Sequence, residues 1–394
     1  MYDIRHDNVN YRTLQTLSTR DADDYNKACS DCPYFDDFQT FVDYYGVTDF
    51  GNHWILAAAS FDTTQFAGHG GNANFGGMPK IGVAEAMIMG ILEMNVLLKI
   101  IQGVEQASAQ CQTGCNNILC NEQAIHYLDQ SVALYCGSIE GEEGTGEGVF
   151  QYALAQRRSI EFGVNDEGKT TNDRIMAFFQ EVQDLLLQGN CETVSMRKRA
   201  ILSLLKVPLV QSVLRFAYVR DHLQFLELDD APKAEAFGAT YAAAILPLVH
   251  KCHRADANVI YENLRIGSET SSVSFSRVKQ ALEENYECMG ISCEDVGGIW
   301  TEDGFAQGAG PCGSGSPVSE TTTNSSKNDA AFNILFYTCM MAMLVATALY
   351  YFLYYRKRHR NGRGLGNGIV RNSNRRGHHV RGTSGNIAAV TDIS

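Results

Sequence analysis

The chain has 394 residues, 45% of them hydrophobic and 20% charged, with 45 Asp/Glu against 32 Lys/Arg and a net charge of −13 at pH 7. Only the last segment is basic: residues 356–394 carry nine Lys/Arg and one acid, Asp392, which leaves 23 bases and 44 acids before it. A Gly/Arg/Asn-rich tail of this kind beside a membrane is a solvated, lipid-attracted segment, so nucleic acid is set aside as a partner.

In chain order, residues 1–37 form an N-terminal segment. Its start, Met1-Tyr-Asp-Ile-Arg-His-Asp, lacks the basic residues and apolar stretch of a secretory signal. From 38 to about 300 the pattern is helical and poor in strand alternation, which predicts an all-α fold, a helical bundle. Pro79 opens a long apolar-periodic helix from Lys80 to about Ser108, with Ile81, Ala84, Ile88, Ile91 and Leu92 on related turns and Glu85, Glu93 and Lys99 among them. Further helices are expected at 121–136, 149–162, 172–188, 194–222 and 231–252, with Thr193 and Asp230 as caps and kinks at Pro208 and Pro247. The pair 80–109 plus 121–137 resembles the pair 196–223 plus 233–252, each placing a Tyr (Tyr135, Tyr241) among small residues. Two similar helical halves would put a ligand site at their seam.

A Gly/Ser/Thr-rich stalk is expected over 301–330, with the sequon Asn324-Ser-Ser inside it. Residues 331–355 carry no charge and are followed at once by Arg356-Lys-Arg-His-Arg360. About 20 apolar residues cross a bilayer and a basic flank marks the cytoplasmic side, so one C-terminal transmembrane helix is predicted, with 1–330 outside and 356–394 as a basic cytoplasmic tail. That orientation calls for a signal peptide ahead of the numbered chain, or for a span that threads the domain across by itself. Eleven of the twelve cysteines precede the span, grouped at Cys29 and Cys32, at Cys111, Cys115 and Cys120, and at Cys288 and Cys293. This suits structural disulfides in an oxidising compartment rather than zinc, and the odd count leaves one thiol over or intermolecular.

Enzyme motifs are missing: there is no Gly-x-Ser-x-Gly elbow, no His-Glu-x-x-His and no phosphate loop, and the chain is read as a binding protein, not an enzyme. His250 and His253 with Cys252 read as helix-terminal cations beside half a disulfide. Two segments carry more polar chemistry than a helical core needs. In Tyr44-Tyr45-Gly-Val-Thr-Asp49-Phe-Gly-Asn-His53-Trp54, Asp49 and His53 share a helical face, or Asp49 simply caps the helix. In the second, a helix ending at Tyr135-Cys-Gly137 leads through an acidic Gly-rich loop containing Glu140 to a helix with Tyr152, Arg157 and Arg158. Phenolate and carboxylate oxygens suit a hard cation such as ferric iron, and a guanidinium forks onto an anion such as carbonate. A solvated acidic loop beside an ion-paired Arg is the competing reading.

The motifs Tyr-Tyr-Gly-x-x-Asp-Phe-Gly-x-x-Trp (44–54), Ala-Ile-His-Tyr-Leu-Asp-x-x-Val-Ala-x-Tyr-x-Gly-Ser-Ile-Glu-Gly (124–141), Tyr-Ala-Leu-Ala-x-Arg-Arg-x-x-x-Phe-Gly (152–163) and Val-Gln-Ser-Val-Leu-Arg-Phe-Ala-Tyr (210–218) resemble the iron-assimilating, low-iron-induced surface proteins of algae, which include the diatom phytotransferrins. The resemblance covers about 38–255, and its layout of ectodomain, stalk and single span is similar too. It implies capture of Fe(III) at the plasma membrane with carbonate as a synergistic anion, followed by internalisation and release as protons compete for the ligands. Tyr45, Asp49, Tyr135, Glu140 and Tyr152 fall inside the matching motifs and are the expected oxygen donors to iron. Arg157 or Arg158 is the expected carbonate partner. The rival is a surface adhesion or receptor protein that binds a protein partner without metal. An extracellular enzyme of inorganic-carbon metabolism would need a His-rich metal site, and the ten His form no such set.

Overall fold

Helical periodicity becomes helix in every stretch where it was expected. The computed structural model describes residues 36–68, 70–114, 120–137, 148–222, 230–268 and 272–312. Cys29, Cys32, Cys115, Glu140, the sequon at Asn324, the span at 331–355 and the basic tail lie outside the described residues. Within them the elements are α1 (Asp36–Tyr45), α2 (Phe50–Ser60), α3 (Lys80–Ile91), a π-helical turn (Leu92–Val96), α4 (Leu97–Ala109), α5 (Glu122–Cys136), α6 (Gln151–Glu161), α7 (Thr171–Leu187), α8 (Cys191–Leu204), α9 (Val207–Asp221), α10 (Ala231–Cys252), α11 (Arg254–Leu264), α12 (Phe275–Glu283), and the short α13 (Tyr286–Met289) and α14 (Cys293–Val296). The strand content is one antiparallel hairpin, β1 (Trp300–Thr301) with β2 (Gly304–Phe305). The described fold is all-α.

The axis of the fold is α10. Every residue from Gly238 to Val249 is buried, the mark of a helix enclosed on all sides. Its run of Ala239, Ala242, Ala243 and Ala244 keeps it thin, and α1, α3, α9 and α11 pack directly against it. Close approach also depends on glycine between α2 and α3, where a Cβ on Gly90 would lie 2.7 Å from Trp54 Cδ1. Trp54 Nε1 donates to the Ala86 carbonyl at 3.2 Å. The stretches Lys80–Ala109 and Cys191–Asp221 are long and apolar enough to cross a membrane by composition, but two thirds (67%) of each apolar window is buried in this core.

Three expectations about helix ends change. The helix foreseen over 194–222 is two: α8 ends at Leu204 and α9 restarts at Val207, with Pro208 in its first turn, where the missing N–H costs nothing. Asn190, not Thr193, caps α8, its side chain accepting from Thr193 N at 3.3 Å. Asp230 precedes α10 without a side-chain cap bond and lies 4.0 Å from Lys233. Helix α7 starts with a full capping box between Thr170 and Asp173.

Disulfides join Cys111 to Cys191, Cys252 to Cys288 and Cys293 to Cys312. They connect across the cysteine groups seen in the sequence, tying α4 to α8 and the end of α10 to α13. Cys136 stands outside these bridges, its Sγ donating to Met176 Sδ at 4.0 Å. The Cys293–Cys312 bridge holds the β-hairpin to the body, with Ile299 N donating to the Ala309 carbonyl at 2.8 Å. The described body runs to Cys312, past the boundary at 300 expected from composition, held by this disulfide and by the buried Ala306 and Ala309.

Candidate functional site

The residues singled out in the sequence separate into two regions. In the first, Tyr45 on α1 is fully buried among Phe41, Phe50, Phe66 and Tyr44. Its hydroxyl donates to the Ala243 carbonyl of α10 at 2.6 Å. Burial drives its phenol well above the usual range, and the neighbouring Tyr44 and Tyr261 add to this. Asp49 stands at the N-terminal end of α2 but makes no cap bond; its carboxylate pairs with His53 Nε2 at 3.2 Å, one turn on and about one-third exposed.

In the second region, Tyr135 on α5 is buried and donates to Asn172 Oδ1 at 2.6 Å. The same Asn172 donates Nδ2 to the Tyr152 carbonyl at 3.0 Å, so one amide ties α5, α6 and α7 together. Tyr152 meets Tyr135 edge-on, with ring centroids 6.1 Å apart. Tyr45 and Tyr135 thus have their hydroxyls engaged in holding helices together, and Asp49 is engaged by His53. Glu140, the fifth expected donor, lies outside the described residues.

What α6 does assemble is a buried polar cluster. The π turn at Leu92–Val96 carries an extra residue per turn, and all five of its residues are buried, Glu93 included. Turns of this kind recur at functional sites. Asn95 stabilises this one by donating Nδ2 to the Gly90 carbonyl at 3.1 Å. Gly51 of α2 lies against that amide; a Cβ there would fall 2.6 Å from both Asn95 Nδ2 and Oδ1. Glu93, 1% exposed, accepts from Gln151 Nε2 of α6 at 2.8 Å. Burial pushes its carboxyl up to about 7, against the lowering effects of the Gln151 hydrogen bond, Arg158 and Arg157.

Tyr241 of α10 and both arginines complete the cluster. The Tyr241 phenol is raised by burial and then by Glu93, and lowered by Arg158, Arg157 and a hydrogen bond with Ser212. Its hydroxyl also reaches Met89 Sδ at 3.4 Å. Arg158, 6% exposed, donates Nε to Ser212 Oγ at 2.8 Å, pairs through Nη1 with Glu161 and lies over the Phe216 ring at 5.5 Å. Phe216 in turn stacks on Tyr241, with centroids 5.8 Å apart. Arg157 donates Nη1 to the Gly148 carbonyl at 2.8 Å. Among the described residues, the side-chain carbonyls of Gln151 and Asn95 are buried without a hydrogen-bond partner.

Chemically this is a buried carboxylate, a buried phenol and the Gln151 amide oxygen beside the buried Arg158 and the partly buried Arg157 guanidiniums. These are the donor types for a hard cation, with cationic groups suited to a companion anion. Glu93 and Tyr241 were not singled out as ligands in the sequence. The signals for them were a Glu inside an otherwise apolar helix and the Tyr at the centre of α10. Among the described residues no group of three or more His, Cys, Asp and Glu gathers as a metal site would need. Any metal here would have to use Tyr and amide oxygens. The chain matches no protein-family model, no curated protein and no solved structure.

Proposed function

We propose that the protein binds ferric iron together with a carbonate-like anion at the Glu93–Tyr241–Arg158 cluster, and that it serves high-affinity iron uptake at the cell surface, with internalisation of the loaded protein. The observation that carries the reading is the buried convergence of Glu93, Tyr241 and the unpartnered Gln151 carbonyl with Arg157 and Arg158. A trivalent cation held by one carboxylate and one phenolate keeps a positive excess that a divalent anion offsets, and the guanidiniums offer that anion a seat. The disulfides and the apolar run at 331–355 with its basic flank support an extracytoplasmic body on a membrane anchor, as does the motif resemblance to algal iron-assimilating proteins.

The test is titration of the 394-residue chain with Fe(III), with and without bicarbonate, following the visible charge-transfer band of an iron–phenolate bond. A bicarbonate-dependent band that disappears in Tyr241→Phe is expected. A folded chain that binds no iron under either condition overturns the reading and returns the search to a protein partner.

A further inference from the structure

Away from the iron cluster, a groove lies between α11 and α12, with a volume of about 580 Å3. It is within the ~300–1,000 Å3 range of small-ligand sites. Its lining includes Arg265, Arg277 and Asn258. Ser268, on the same lining, is buried and accepts from Arg220 Nη2 at both its carbonyl (3.1 Å) and its Oγ (3.0 Å). Arg220 is 2% exposed and, among the described residues, has no carboxylate at ion-pair distance; it also donates to the Leu264 carbonyl at 3.5 Å.

A desolvated guanidinium is costly; Glu235 offsets part of that cost for Arg220 from beyond ion-pair distance, and Arg220 lies behind Ser268 of a groove that presents two more guanidiniums. The acids nearby are partly committed: Glu262 pairs with Arg265 Nε at 3.3 Å, and Glu235 accepts from Gly267 N at 2.7 Å. In a chain of net charge −13, two arginines against one acid, Glu262, on the described lining, with buried Arg220 bonded to Ser268 behind it, favour a ligand of opposite sign. Guanidinium forks match planar carboxylates and phosphate oxygens.

We propose that this groove binds a small multivalent oxyanion, a polycarboxylate or a phosphate, through Arg265 and Arg277 above the buried charge of Arg220. Arg277 is exposed and makes no ion pair among the described residues, so its removal leaves the fold intact.

Isothermal titration calorimetry on the iron-free 394-residue chain at low salt, with citrate and with inorganic phosphate in separate arms, tests this without involving the metal site. Saturable binding in either arm is expected, weakened about tenfold or more by Arg277→Ala and strengthened by Glu262→Gln, in line with the ~1.4 kcal/mol that each tenfold represents. Binding in only one arm identifies the ligand class. Absence of binding in both arms, or binding unchanged by Arg277→Ala and Arg265→Ala alike, overturns the proposal whatever the outcome of the iron titration.

Discussion

The hydroxyl of Tyr45 donates to the carbonyl of Ala243, 2.6 Å away and 198 residues along the chain. Ala243 lies four residues before Pro247, which sits inside α10. Proline has no N–H, so the carbonyl one turn before it loses its helical donor. Tyr45 supplies the replacement from α1. This explains how an enclosed helix tolerates an internal proline, and it gives Tyr45 a structural task.

Tyr45→Phe keeps the aromatic packing but strands the Ala243 carbonyl. Stability to denaturant should fall by roughly 1–3 kcal/mol, while the iron charge-transfer band is retained. Loss of the band in a stably folded Tyr45→Phe protein would restore Tyr45 as a ligand.

Tyr241 should behave in the opposite way. Its hydroxyl reaches a thioether and Ser212, so Tyr241→Phe costs little stability, about 1 kcal/mol or less. Iron affinity should drop by about tenfold or more with loss of the visible band. An unchanged band in this variant would remove Tyr241 from the site.

Glu93 makes the iron-free protein sensitive to pH. Its folded carboxyl titrates at about 7, above the ~4.3 of an exposed Glu, so the folded state binds the extra proton. Its contribution is fully present below the unfolded value and is lost as pH rises through about 7. Glu93→Gln should match the parent near pH 4 and exceed it near pH 8, by an amount on the order of 3 kcal/mol. Unfolding curves of the two proteins that stay parallel across this range would contradict the assignment. The proposed site uses the carboxylate, so iron affinity should fall as pH drops from 8 to 5.5, and an affinity unchanged over that interval would count against the ligand role.

Gly51→Ala probes the π turn from outside. The new Cβ would meet the Asn95 amide at 2.6 Å, pushing it from the Gly90 carbonyl. A loss of roughly 1–3 kcal/mol of stability follows from such overpacking, together with weaker iron binding as Glu93 is displaced. Full stability and full affinity in Gly51→Ala would show that the turn is held by other contacts.

The sequence by itself determined the helical class and most helix positions, because the apolar period and the capping residues act within a few residues of one another. The prediction of 121–136 became Glu122–Cys136, and that of 172–188 became Thr171–Leu187. The pairing of Asp49 with His53 was equally legible, since it follows from helical spacing alone. Pro208 was misplaced because a proline in an apolar run fits a kink and a new first turn equally well. The π turn at Leu92–Val96 left no mark on the pattern, since one inserted residue shifts the helical phase by less than the width of its apolar face. Only the tertiary structure decided which polar groups meet. Glu93, Gln151, Ser212 and Tyr241 come from four separate helices, and Tyr45 finds Ala243 across the body. Such meetings depend on how whole helices pack around α10, which no local spacing encodes.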